Sequence, residues 1–154
     1  MKRTAATISV AVAVAASLLA AGAQGRGPSA RAARAAVVQL RSTSLGRILV
    51  DGSGFTLYEH TNDPRGRDLC ASSSECIESW PAYTSRGRPT PGRGVRASLL
   101  STIALPGGAR QVTYAGHPLY LYAGDSGPGE TGYVGADSFG GRWLAVGAGG
   151  RAVR

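Results

Sequence analysis

The feature that most constrains this chain is an internal echo. Shifted by 62 residues, Val50 falls on Val112, Gly54 on Gly116, Leu57 on Leu119, Tyr58 on Tyr120 and Asp63 on Asp125. Trp80 then lies one place from the position matching Trp143. Agreement over apolar, aromatic, glycine and acidic types at one spacing describes two copies of one unit, each unable to bury its apolar face alone. The centre of the echo is YEHTND at 58–63 and YLYAGD at 120–125, both reading Tyr-x-ring-x-x-Asp.

In a strand, residues two apart share a face. Tyr58 and His60 therefore project together, as do Tyr120 and Tyr122. Asn62 or Gly124 ends the strand, and the aspartate after it is placed to fold its carboxylate onto backbone N–H groups as an Asx-type turn. That account is structural, and repeated units usually repeat for packing. The functional alternative is a groove lined by paired rings and a carboxylate. The candidate binding residues are then Tyr58, His60, Asp63, His117, Tyr120, Tyr122 and Asp125.

The sequence predicts a small all-β fold of two tandem pseudo-repeated units with short hairpins. From Gly46 onward, runs of Val, Ile, Thr, Tyr and Leu are broken by Gly, Pro, Ser and Asp every 6 to 12 residues. RILVDGSGFTLYEH reads as strand, turn, strand, and ARQVTYAGHPLYLYAGD repeats the plan with Ala115-Gly116 at the turn. RWLAVGAGGRAV closes the chain as a third hairpin about Gly147–Gly150. One short helical turn is expected in SSSECIESW, where Ser72 and Glu75 have capping-box spacing. Repeat one is assigned to 46–107 and repeat two to 108–154, with Tyr58, Trp80, Tyr120 and Trp143 as partly buried anchors.

The start of the chain reads differently. Lys2 and Arg3 precede an apolar run, Ile8 to Ala20, that is shorter than the ~20 residues a bilayer span needs. Ala21-Gly22-Ala23 then offers a small-x-small cleavage pattern, so residues 1–23 read as a cleaved secretory signal. Residues 24–45 read as an Ala/Arg-rich linker. A helix from Ser29 to Leu40 would put Arg31, Arg34 and Arg41 on one side, for weak contact with a membrane surface. Residues 24–154 carry 15 Arg, no Lys and 9 acidic residues, a net +6, but 46–154 carry only +2. The basic character sits in the lead segment and not on the fold, so no nucleic-acid partner is expected.

Two cysteines, Cys70 and Cys76, in an exported chain favour a disulfide. Closing so short a loop contributes roughly 2.4 kcal/mol in the chain-entropy account. Their spacing does not suit zinc, and no cofactor or metal is expected. GPGETG at 127–132 matches G-x-G-x-x-G but lacks the following helix a dinucleotide site needs. Asp125, Glu130 and Asp137 lack the EF-hand spacing for calcium. There is no GxSxG elbow, so no enzyme is expected.

The chain resembles the bacterial secreted-repeat family, predicted lipoproteins named for a Tyr-x-aromatic-x-x-Asp motif. The resemblance covers about 46–148 and rests on GRILVDGSGFTLYEHTND, CASSSECIESWPAY, ARQVTYAGHPLYLYAGDSGPGETG and the later GGRW. It implies an envelope or extracellular location and a tandem β architecture, and no activity. His60 stands where the first copy should carry an aromatic ring, and the lipobox cysteine of the lipoprotein members is missing. The expectation is an exported non-catalytic module that binds cell-wall polymer or an envelope protein. The alternative is a redox- or metal-linked envelope protein using His60 and His117.

Overall fold

The computed structural model describes residues 35–154; the readings of 1–23 as a signal and of 24–34 as linker fall outside them. Ten strands and one short helix follow in order. They are β1 (Val37–Thr43), β2 (Gly46–Asp51), β3 (Tyr58–His60), α1 (Ser74–Ser79), β4 (Thr90–Pro91), β5 (Leu100–Ala104), β6 (Arg110–Tyr114), β7 (His117–Pro118), β8 (Asp137–Ser138), β9 (Gly141–Val146) and β10 (Ala152–Val153). They form three small sheets, β2-β1-β4, β10-β9-β3 with β8 on β9, and β5-β6-β7.

One correction falls at the start. Residues 37–43, read above as the end of a linker or of a helix, are strand β1, in antiparallel register with β2 from Val38 opposite Asp51 to Thr43 opposite Gly46. The reason is local as well as tertiary. VVQLRST is itself rich in strand-forming residues, and Ala36 and Val38 are buried in the main apolar cluster beside Leu49, Leu57, Val112 and Val146. Arg41 therefore lies on an exposed strand and not on a helical face. Arg31 and Arg34 lie outside the described residues.

With β1 in place the same order of elements occurs twice. The hairpin β1–β2 leads into the strand of Tyr58, and a later stretch at Trp80–Thr84 completes the pattern. The hairpin β5–β6 leads into the strand of Tyr120, and β9 with Trp143 completes it. Leu57 N–H donates to the Leu49 carbonyl at 3.0 Å, and Leu119 N–H to the Val112 carbonyl at 2.9 Å. Leu49, and not Val50, thus stands where Val112 stands, because the first turn is one residue longer than the second.

The two copies interleave. Tyr58 and Tyr120 exchange both backbone bonds, Tyr58 N–H to the Tyr120 carbonyl at 3.0 Å and the reverse at 2.9 Å. On its far side each motif strand pairs with the other copy's tryptophan strand, Tyr58 with Ala145 and Tyr120 with Ala82. The motif strand would otherwise be an exposed edge, which sheet proteins cover.

The turns follow local chemistry. Ala115 and Gly116 both take positive φ, 51° and 85°, between Tyr114 and its partner His117, the two-residue turn that suits the twist of a hairpin. Asp51 Oδ1 accepts from the N–H of Ser53 and of Phe55, closing the longer first turn. The closing hairpin forms as expected, with Val146 opposite Ala152. Helix α1 is capped by Ser73, whose hydroxyl accepts from Cys76 N–H at 3.3 Å, one residue after the serine chosen from spacing. Cys70 and Cys76 are disulfide-bonded and pack beneath Trp80.

Candidate functional site

The candidate residues converge, but mostly inward. Tyr58, Trp80, Tyr120 and Trp143 are fully buried and not the partly buried anchors expected. The indoles of Trp80 and Trp143 stack at 3.9 Å with 4° between planes. Each motif tyrosine meets its own copy's tryptophan edge-on, Tyr58 to Trp80 at 5.2 Å and Tyr120 to Trp143 at 5.1 Å. Each third-position ring lies on the opposite copy's tryptophan, His60 on Trp143 at 4.3 Å and Tyr122 on Trp80 at 4.4 Å. Contacts of this kind contribute about 0.5–1.5 kcal/mol each beyond burial. Ring contacts therefore run without a break from His60 through Trp143, Trp80 and Tyr122 to Tyr133.

The aspartates end the motif differently from the Asx turn expected of both. In each copy the aspartate N–H does close a turn, Asp63 to the His60 carbonyl at 3.1 Å and Asp125 to the Tyr122 carbonyl at 3.3 Å. The carboxylates then reach across. Asp63 Oδ2 accepts the Tyr120 hydroxyl, and Asp125 accepts the Tyr58 hydroxyl at 3.1 Å on Oδ2. Asp63 also accepts the N–H of Leu69 at 3.0 Å, whereas the Asp125 carboxylate caps no following amide. The motif is a reciprocal clasp in which each copy's tyrosine is held by the other copy's aspartate.

The electrostatics follow from burial. Burial, reinforced by Asp125, pushes the Tyr58 phenol well above its ordinary range. Burial, then the hydrogen bond and charge of Asp63, does the same for Tyr120. Both phenols remain donors across the accessible pH range. Asp125 is pushed up to about 6 by burial and by the Glu130 charge, against the lowering effect of the Tyr58 hydrogen bond. Burial raises Glu59 to about 7, with Arg65 opposing, and one of its oxygens is buried without a hydrogen-bond partner.

The histidines are apart in role. His60 is buried, and its Nε2 donates to the Ser138 carbonyl at 3.1 Å. Its Nδ1 lies 3.9 Å from Asp63, an ion-pair distance once the ring is protonated and too long for a hydrogen bond. Burial lowers the His60 pKa, but the Asp63 carboxylate and the carbonyls of Ser138 and Gly141 outweigh it, so the net direction is up. His117 is half-buried on β7, and burial followed by the Arg65 charge holds its pKa down. Among the described residues no group of three or more His, Cys, Asp or Glu is arranged to hold a metal ion.

Two surface features escaped the sequence reading. Tyr133, 38% exposed, rests on Tyr122 with ring centroids 3.9 Å apart. Nothing in its neighbours, a Gly-rich run, signals that contact. Two open grooves border edge strand β5, one of about 420 Å³ lined by Arg88, Ser101, Thr102 and Arg110 and one reaching Arg65, and a third beyond Arg110 reaches Arg86. None of these arginines is in an ion pair among the described residues, although Arg65 donates to the Ala115 carbonyl and Arg110 to Thr102. The chain separation of Arg88 and Arg110 hides their common groove.

Fold and site together define an all-β protein of two interleaved copies, closed by exchanged tyrosine–carboxylate bonds. Residues 101–147 match the family described as a secreted repeat of unknown function. That stretch holds the Tyr120–Asp125 motif and Trp143, so the resemblance read from the sequence is shown there, and the family it resembles is described as secreted, which supports an exported protein. The match does not extend to the first copy, which carries His60. No curated protein and no solved structure matches the chain.

Proposed function

We propose that this exported protein is a non-catalytic module that holds an anionic envelope polymer along the β5 face. The observation that carries the reading is the open groove at β5 lined by Arg88 and Arg110, with Arg65 in a second groove on β5 and Arg86 in one beyond Arg110, none in an ion pair among the described residues. Phosphate or carboxylate groups repeated along an extended polymer complement such a row, and guanidinium forks take them in bidentate fashion. The motif supports the reading by elimination. Its tyrosines and carboxylates are turned to each other, so Tyr58, Asp63 and Tyr120 have nothing left to offer a ligand, and Tyr122 alone of the motif rings is partly exposed.

The redox- or metal-linked alternative has less support, since His60 is engaged by Ser138 and Trp143. Co-sedimentation with isolated cell wall, and with polyphosphate as a defined probe, tests the proposal. Retention should fall with added salt. It should be largely lost in Arg86→Gln/Arg88→Gln/Arg110→Gln, with melting temperature unchanged. Retention equal to wild type in that variant, or lost instead in a stably folded Tyr122→Ala, overturns it.

A further inference from the structure

Tyr122 and Tyr133 make a site of another kind. Of the six tyrosines, Tyr58, Tyr83, Tyr114 and Tyr120 are buried, and their hydroxyls are engaged by Asp125, Val37, Ala148 and Asp63. Tyr122 is partly exposed and Tyr133 is 38% exposed. Their centroids lie 3.9 Å apart with 47° between planes. The Tyr122 phenol is held above its ordinary pKa, chiefly by its Tyr133 neighbour. At that centroid separation the two rings are in van der Waals contact, which puts their edge carbons within reach of one another. Gly124 fixes the other side: a Cβ there would stand 2.4 Å from the Tyr122 ring, so the ring lies directly on backbone.

We propose that Tyr122 and Tyr133 are a modification site, joined as an intramolecular dityrosine when the exported chain meets a peroxidase-type oxidant and hydrogen peroxide. Each phenol gives up one electron and one proton. The two phenoxyl radicals couple through a new bond between ortho carbons, and each ring regains aromaticity as its ortho hydrogen moves to oxygen. The two electrons and two protons reduce one peroxide to two waters. Pre-organisation makes the coupling intramolecular, since the rings are already in contact. The bond would tie the motif's exit to the loop at Tyr133. The competing sink is Trp80, whose ring is 4.4 Å from Tyr122.

The test oxidises the folded chain at low concentration with peroxidase and hydrogen peroxide, then maps peptides. The expected product is a monomer lighter by two hydrogen atoms, with peptides of Tyr122 and Tyr133 linked, blue dityrosine fluorescence and a raised melting temperature. Tyr133→Phe, at an exposed position that leaves the fold intact, should lose both fluorescence and linkage. So should the unfolded wild-type chain in denaturant. Covalent dimers through Tyr133, oxygen added at Trp80 or Trp143 in place of linkage, or consumed Tyr133 without a linked peptide would each overturn the proposal.

Discussion

Two phenols and two carboxylates decide what the repeated motif is for. Removing the Tyr120 hydroxyl leaves Asp63 buried with only the Leu69 amide. Stranding a buried polar partner costs about 1–3 kcal/mol, so Tyr120→Phe should lose stability in that range in denaturant unfolding. Tyr58→Phe should lose less, because Asp125 is nearer solvent and its bonds from Tyr58, at 3.1 and 3.3 Å, are weak. Equal stability of Tyr120→Phe and wild type would end the clasp account. Both aspartates stand out in the sequence, but not their partners. The spacing within one copy puts Asp63 next to its own strand end, and only the pairing of the copies turns it to Tyr120.

Burial also sets the pH dependence. Glu59 and Asp125 have folded pKa values, about 7 and about 6, above their ordinary ones. The folded state therefore binds protons more readily than the unfolded chain, and stability falls as pH rises through 4 to 7. His60, raised, contributes stability below its ordinary pKa that is lost as pH rises. His117, lowered, acts oppositely. The net expectation is a melting temperature higher near pH 5 than near pH 8. Glu59→Gln should flatten that rise, since a full shift of this size corresponds to up to about 3 kcal/mol. A melting temperature that climbs from pH 5 to pH 8 would contradict this assignment.

Among the elements, the second hairpin carries a visible imperfection, one it shares with the β8–β9 turn at Phe139. Ala115 sits at positive φ where a two-residue turn favours Asn. Ala115→Asn should stabilise the protein by about 0.5–1 kcal/mol, read as a higher denaturant midpoint. Loss of stability would mean that the Ala115 methyl, packed against Gly150, matters more than the backbone. The hairpin itself was legible, since Ala-Gly between alternating strands is local chemistry. Helix α1 was legible to within a residue for the same reason. Strand β1 was not, because the Ala- and Arg-rich residues before it were read together with VVQLRST, whose own β-branched residues suit a strand and whose Val38 is buried beside Leu49 and Val112.

For the whole molecule, interleaving means that neither half is a domain. Fragments 35–94 and 95–154, cut at the exposed turn by Gly94, should each stay unfolded alone, with the β circular-dichroism signal returning on mixing. Each would otherwise expose its tyrosine strand and leave one tryptophan without its stacked partner. Cooperative unfolding of either fragment by itself would show that the copies close independently.

Local and periodic signals determined much of this protein from sequence alone. The alternation of strands, the cysteine pair and the Gly-bearing turns depend on near neighbours, and the echo at 62 residues is read by laying the chain on itself. Tertiary structure decided the rest: that the copies exchange strands, that each carboxylate answers the opposite tyrosine, and that Arg88 and Arg110 line one groove at β5. Those are contacts between residues far apart in the chain. Their energy comes from burial and from complementary edges that no short stretch of sequence contains.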